Sequence, residues 1–167
     1  DIVLGLPSMG LHTNGYSLAR KICFEVAGLK IDNQVDLFDR KIGQELMVVH
    51  KSYLHPVTAL LRELRPGGMA HITGGGIPGN LIRIIPKKLR AIIEIESFPK
   101  LPIFDYLQKT GGVDDSDMFD AFNMGIGYII VVRPFDVEKA ESVLSAEGQE
   151  CFRIGRIKKG NHGVELV

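Results

Sequence analysis

Buried strands and amphipathic helices alternate along the whole chain, and this alternation limits the fold more than any other feature. Met124 to Val132 is the clearest buried strand, and Ile2 to Leu6 forms another. Apolar residues recur at helical spacing in the segments Tyr16 to Ala27 and Ser52 to Leu64. The pattern predicts a sheet with helices packed on it, either α+β or α/β.

Spacing within the two helices predicts which faces are buried. In the first helix, Leu18, Ile22 and Val26 recur every four residues and form one apolar stripe. In the second helix, the residues predicted to face inward are Tyr53, Val57, Leu60, Leu61 and Leu64.

The end of the chain is predicted to close the sheet with two more strands. They run from Gln149 to Lys158 and from Gly163 to Val167. The Gly160-Asn161 pair between them is a turn signal, so the two strands are predicted to pair as a hairpin.

Length and composition indicate one soluble domain, spanning residues 1–167. The 167 residues include 20 Lys and Arg and 20 Asp and Glu, so charge gives no case for binding nucleic acid or an anionic membrane. No apolar run approaches membrane-spanning length. Two cysteines, Cys23 and Cys151, and no signal peptide suit a cytoplasmic location, and both cysteines are predicted to fill core. The chain opens on Asp1 inside a strand, which indicates a piece of a longer protein.

The first candidate site is the loop between the first strand and the first helix. Its glycines let the backbone turn tightly, and free amides at a helix start attract an anion. A turn in which Asn14 or Ser17 merely caps the helix is the alternative interpretation. The residues predicted to contact a ligand are Ser8, Gly10, His12, Thr13 and Asn14.

The second candidate site is a glycine run that follows a short strand ending near Ile72. Three successive glycines usually serve a demanding backbone geometry, and an arginine offers a planar fork to phosphate. The run lacks the lysine and hydroxyl of a Walker loop. A core histidine at His71 and a solvated Arg83 are the alternative interpretations. The candidate ligand contacts are Thr73, Gly74, Gly75, Gly76, Asn80 and Arg83.

The third candidate site lies at the start of the clearest predicted strand, where Asn123 is followed by Gly125 and Gly127. Alternate glycines weaken a strand unless a ligand or another backbone comes close, although strand-to-helix packing explains them equally well. The five histidines show no metal-ligand spacing, so no metal site is predicted. If the strands before the first two loops run parallel, both loops lie at one sheet edge, and His12, Asn14, His71 and Arg83 share one cleft.

Together these motifs resemble one known family. The string from Gly5 to Leu18, the run from His71 to Gly76 with Asn80 and Arg83, and Phe122-Asn123 with its two glycines look like the C-terminal domain of aminoimidazole ribonucleotide synthetase. That family is also called phosphoribosylformylglycinamidine cyclo-ligase. The resemblance covers nearly the whole chain and implies a mixed β-sheet between helical layers, an α+β fold of α/β/α type.

The resemblance also implies an activity. Family members close formylglycinamidine ribonucleotide to aminoimidazole ribonucleotide in purine synthesis, using ATP and Mg²⁺. An N-terminal domain, which this chain lacks, is expected to carry most of the ATP and metal apparatus and to build a homodimer, so the chain alone is expected to be inactive. The present domain is expected to hold the ribonucleotide in a cleft, with His12 and His71 as candidate catalytic residues and Asn123 among the substrate contacts.

Several positions depart from the family pattern. Where a Thr-Arg pair, a Glu, a Pro and an Arg-Thr pair are expected, this chain has His50-Lys51, Gly79, Ile82 and Asp120-Ala121. These differences indicate a divergent branch or a changed substrate. Two other functions stay open: a non-catalytic phosphate- or nucleotide-binding module, and another ATP-dependent member of the superfamily that phosphorylates a different small molecule.

Overall fold

One six-stranded mixed sheet organises the molecule. The computed structural model describes all 167 residues, and the strand order across the sheet is β2-β4-β1-β5-β3-β6. Every neighbouring pair is antiparallel except β3 and β6, which are parallel. The strands are β1 (Ile2–Pro7), β2 (Gly68–His71), β3 (Leu89–Ile93), β4 (Ile126–Val132), β5 (Phe152–Lys159) and β6 (Gly163–Leu166).

Seven α-helices flank this sheet, and the elements lie within a few residues of their predicted positions. None of the helices is long and apolar enough to cross a membrane. The helices are α1 (Tyr16–Arg20), α2 (Ile42–Leu46), α3 (Leu54–Glu63), α4 (Gly76–Leu81), α5 (Pro102–Gly111), α6 (Asp115–Ala121) and α7 (Val137–Ala146).

The sheet is buried on both faces, which confirms the layered α+β prediction. On one face Leu4 and Leu6 of β1 pack with Leu60 of α3 and Leu144 of α7. On the other face the sheet packs against α4. A third cluster joins α1, α2, α5 and α6 into a helical layer beside the sheet. β1 is tightly packed between these layers. A side chain at Gly5 would come within 2.9 Å of the Ile126 side chain.

The buried face of the first helix differs from the predicted stripe. The helix continues beyond α1 as a π-helix over Lys21–Val26, shown by the Ala27 amide donating to the Ile22 carbonyl five residues earlier. This wider turn rotates the last residues away from the core, so Val26 is 57% exposed. The prediction for Val26 was therefore wrong, and the buried residues are Ala19, Ile22 and Cys23.

Two other local predictions were wrong. In α3, Leu61 is exposed because the helix buries only a narrow face through Pro56 and Leu60. The C-terminal strands do not form a hairpin, because β3 lies between β5 and β6. The turn between them is held at the start of β3, where the Gly160 amide donates to the Lys88 carbonyl, so the chain crosses the end of β3 instead of folding back on β5.

Strand directions bring the three candidate motifs to one end of the sheet. β1 and β2 are both antiparallel to β4, so they run parallel to each other. The loops that follow β1 and β2 therefore leave the sheet at the same end, where β4 also begins. The prediction that the first two loops share one edge is confirmed, and this edge carries the candidate site.

Candidate functional site

The loop after β1 has a strained backbone. His12 and Thr13 have φ angles of 52° and 63°, in the left-handed region that side chains other than glycine rarely adopt. Each such residue costs about 1–3 kcal/mol, and strain of this kind concentrates at functional sites. The Asn14 side-chain amide donates to the His12 carbonyl at 2.9 Å, and the Asn14 backbone amide donates to the Leu11 carbonyl. These bonds hold the strained pair in place.

The His12 ring is buried and has a fixed tautomer. Its Nε2 atom accepts hydrogen bonds from the backbone amides of Met9, at 3.0 Å, and Lys51, at 3.3 Å. The neutral ring must then carry its proton on Nδ1, which has no hydrogen-bond partner. An unpaired buried donor costs about 1–3 kcal/mol, so the Nδ1 proton of His12 does not stabilise the fold.

A glycine in β4 makes room for this ring. The register between β1 and β4 shifts after Leu6, so Gly127 forms a bulge opposite it. A side chain at Gly127 would lie 2.8 Å from His12 Nδ1 and would also overlap the Tyr53 hydroxyl. Gly127 is therefore required by the close approach of the histidine loop, which explains part of the glycine pattern in the third motif.

Burial keeps His12 neutral. Burial, followed by the charges of His50, His71 and Lys51, lowers the pKa of His12 to about 4. The unfolded chain thus binds a proton between pH 6.5 and pH 4 that the folded chain does not. Stability from this group is complete above pH 6.5 and is lost as the pH falls towards 4.

Acidification is therefore expected to destabilise the chain through His12. Lowering the pH from 6.5 to 5 should reduce the free energy of unfolding by about 2 kcal/mol on this account. Urea unfolding at the two pH values measures the difference. The matched variant is His12→Asn, because asparagine tolerates the left-handed backbone. The variant should lose most of this pH dependence, and an unchanged dependence would show that other groups cause it.

Three imidazoles from separate parts of the chain meet beside this loop. His50 stacks on His12 with ring centroids 4.2 Å apart, and its Nε2 lies 3.1 Å from Nε2 of His71. Its Nδ1 lies 3.3 Å from the Thr13 hydroxyl. His71 is exposed overall. Partial burial of its ring, followed by the charge of His50, lowers its pKa. The exposed His71, and not the enclosed His12, is the imidazole that a ligand can reach.

Asn123 ties the first loop to the start of β4. Its side-chain oxygen accepts from the Ser8 hydroxyl at 2.8 Å and from the Gly125 amide at 2.9 Å, while its nitrogen donates to the Gly10 carbonyl. Ser8 and Asn123 are buried. Both side chains are thus used inside the protein, and the structure places them as supports of the loop.

Asn80 supports the second loop in the same way. Its side-chain nitrogen lies within hydrogen-bond distance of the carbonyls of Thr73, Gly74 and Gly76, and its oxygen accepts from the Thr73 hydroxyl. Asn80 is only 4% exposed. These bonds close the glycine run into a fixed shape at the start of α4.

The three glycines of this run have different roles. Gly75 and Gly76 have φ angles of 92° and 55°, and a side chain at Gly76 would overlap the Phe119 carbonyl oxygen of α6. The fold therefore requires glycine at both positions. Gly74 is exposed, has no left-handed backbone, and faces open space where a side chain would begin. Packing does not explain glycine at Gly74, but the approach of a ligand to the backbone would.

The whole chain, residues 1–167, matches the family model described as AIR synthase related protein, C-terminal domain. The chain belongs to this family. It is 46% identical over 160 residues to a phosphoribosylformylglycinamidine cyclo-ligase of Myxococcus xanthus, covering 96% of this chain and 46% of that protein. It is 43% identical over 159 residues to the cyclo-ligase of Syntrophotalea carbinolica, covering 95% and 45%. The chain thus spans about half the length of the curated relatives it matches.

Solved structures agree on the fold. The thiamine-monophosphate kinase of Stenotrophomonas maltophilia K279a has a TM-score of 0.63 and 14% identity, over 99% of this chain and 49% of that one. The hydrogenase maturation protein HypE in complex with ATP has a TM-score of 0.62 and 19% identity, over 99% and 47%. At these identities the likeness establishes the shared architecture alone.

Four of the residues that depart from the family pattern lie at the same edge, namely His50, Lys51, Asp120 and Ala121. His50 and Lys51 contact His12, and the Asp120 carbonyl accepts from the Gly75 amide. A side chain at Gly15 would meet the Ala121 carbonyl oxygen at 3.0 Å, so the end of α6 lies between the two glycine loops. Sequence reasoning found His50 and Lys51 only as departures, because nothing in their spacing shows that they meet His12.

Arg83 is not brought to the histidines. It is exposed, its side chain makes no hydrogen bond or ion pair, and it follows α4 on a turn whose Ile84 side chain packs over Gly68. Gly68 begins β2, whereas His71 ends it, so Arg83 lies towards the opposite end of that strand. The cleft predicted from four residues therefore contains His12, Asn14 and His71 but not Arg83. No group of three or more His, Cys, Asp or Glu side chains is arranged to hold a metal ion.

Proposed function

We propose that this chain is the C-terminal half of an ATP-dependent cyclo-ligase that converts formylglycinamidine ribonucleotide to aminoimidazole ribonucleotide in purine biosynthesis. The observation that carries the proposal is the strained His12-Thr13 loop, brought beside His71 and the glycine run in a chain 46% identical to a named cyclo-ligase. The enzyme forms a C–N bond, and its location is cytoplasmic.

The exposed and the buried groups of the cleft would have different roles. The exposed Gly74 backbone amide would bind the phosphate of the ribonucleotide, because it donates to no protein acceptor and is not enclosed by packing. The His71 imidazole would contact the reacting end of the substrate and accept a proton from the attacking nitrogen. His12 would act as a positioning residue, since both of its Nε2 bonds go to backbone amides of neighbouring segments.

The rest of the apparatus would lie in a partner domain. ATP and Mg²⁺ would be held mainly by an N-terminal domain, in keeping with relatives about twice as long as this chain. When bound, ATP supplies the phosphoryl group that activates the formyl oxygen. The same domain would build a homodimer, and the cleft would close between the two domains.

We expect an anion at the exposed part of the glycine run. Crystals grown in sulfate should show density beside the Gly74 amide, because this exposed amide donates to no protein acceptor. Gly74→Val should remove the density without unfolding the chain, since its side chain would occupy the open space. Density confined to Lys87 or Lys158 would contradict the assignment.

A cyclisation assay tests the function itself. The chain is joined to the N-terminal half of a relative and supplied with formylglycinamidine ribonucleotide, ATP and Mg²⁺. If the chain is half of a cyclo-ligase, the joined protein forms aminoimidazole ribonucleotide. If it is a phosphate-binding module or a kinase for another small molecule, no product forms.

A further inference from the structure

A cavity that has His71 in its lining lies next to α3. Its volume is about 520 Å³, within the range typical of small-molecule pockets. It is bounded by α3 and by β2, the edge strand of the sheet, together with the neighbouring residues of β4. Its lining includes Lys51, Tyr53, Leu54, Met69, His71 and Tyr128.

Aromatic rings form the floor of this cavity. The Tyr53 and Tyr128 rings are 5.4 Å apart, and the Tyr128 and His71 rings are 6.0 Å apart with only 30° between their planes. The Tyr128 hydroxyl has no partner except the Met69 sulfur at 4.0 Å, which is a weak acceptor. The floor thus offers stacking surface and an unused hydroxyl to a planar ring.

Lys51 supplies a cation at the rim. Its side chain is half-buried and forms no ion pair, and burial lowers the pKa of its ammonium group. Its position is fixed, because the Lys51 backbone amide donates to His12 Nε2. The charge of Glu150 raises this pKa but forms no ion pair with Lys51, so an anionic ligand group would supply the close charge that is missing.

The outer rim is apolar although it faces solvent. Leu54 is 68% exposed and Leu61 is 46% exposed, and both line the cavity. Apolar walls beside an aromatic floor favour a ring system over a bare inorganic ion.

We propose that this cavity binds a nucleoside monophosphate, with the base against Tyr128 and His71 and the phosphate at Lys51. The cavity is separate from the phosphate position at Gly74, because Gly74 does not line it. His71 does line it and is shared with the substrate site proposed above. The proposal does not rest on cyclo-ligase activity, so binding can succeed or fail independently of it.

Calorimetric titration with AMP, adenosine and inorganic phosphate tests the proposal. AMP should bind at least tenfold more tightly than either adenosine or phosphate, because a charge-assisted contact changes affinity by about ten- to a hundredfold. The chain has four tyrosines and no tryptophan, so proton NMR can follow the ring signals individually. The Tyr53 and Tyr128 signals should shift on addition of AMP, and those of Tyr16 and Tyr106 should not.

Variants separate the two halves of the ligand. Lys51→Met should weaken AMP binding about tenfold and leave adenosine unchanged, whereas Tyr128→Leu should weaken both. Lys87→Met, at an exposed lysine in the turn before β3, is the matched control and should change neither. If Tyr128→Leu unfolds the chain, Thr58→Trp replaces it, since Thr58 lines the cavity from an exposed position. AMP binding no tighter than phosphate binding, or equal in the Lys51→Met and parent chains, would overturn the proposal.

Discussion

Gly76→Ala is expected to destabilise the chain by about 2–5 kcal/mol, a large part of the roughly 5–15 kcal/mol that stabilises a domain. The left-handed backbone at Gly76 costs a side chain about 1–2 kcal/mol, and overpacking adds about 1–3 kcal/mol. The upper end is expected because the added carbon would overlap a backbone oxygen, that of Phe119, which cannot move aside by changing rotamer. The midpoint of thermal unfolding should fall by roughly 10–20 °C.

The neighbouring Gly74 provides the matched control. Gly74→Ala places the same methyl group in open space, on a backbone that is not left-handed. Its stability should be unchanged or higher by up to about 1 kcal/mol, because alanine restricts the unfolded chain. Equal losses in the two variants would show that the glycine run is not divided between packing and ligand approach.

The second large effect concerns activity. Joined to the N-terminal half of the Myxococcus xanthus relative, in place of that protein's own matching segment, the chain should turn over at about 10 per second, a typical enzyme rate. Under the proposed function, the chain alone should give no measurable product, because ATP and Mg²⁺ would be held mainly by an N-terminal domain.

Two controls limit the interpretation of that experiment. The intact Myxococcus xanthus enzyme shows that the assay detects product. A fusion carrying His71→Ala should lose about a hundredfold in turnover, the lower part of the range for a lost proton acceptor, while remaining folded because His71 is exposed. Full turnover in that variant would move the role from His71 to another group.

Much of the fold follows from local pattern. The buried strands near Ile2 and Met124 and the helices after Tyr16 and Ser52 were predictable because period and propensity are properties of neighbouring residues. The pairing of the strands on either side of Gly160-Asn161 was not predictable from local pattern. β3 lies between them, and it comes from about seventy residues earlier in the chain. Val26 failed for a different reason, since a π-helix changes the period on which the stripe was based.

The candidate site was predictable at the level of loops but not of atoms. The glycine runs predicted which loops meet at one edge of the sheet, yet only the structure separates Gly74 from Gly76. Asn80 and Asn123 carry polar groups typical of ligand contacts, but their hydrogen bonds are made within the protein. His50 has no motif of its own, because its meeting with His12 is a product of tertiary folding.

Product formation by the fused protein tests the central claim most directly. Formylglycinamidine ribonucleotide, ATP and Mg²⁺ are supplied, and aminoimidazole ribonucleotide and ADP are measured together over the same time course. The account predicts that the two products appear in equal amounts with the fusion and that neither appears with the chain alone. ADP release without aminoimidazole ribonucleotide, from a fusion that is folded and stable, would contradict the claim that this chain is half of a cyclo-ligase.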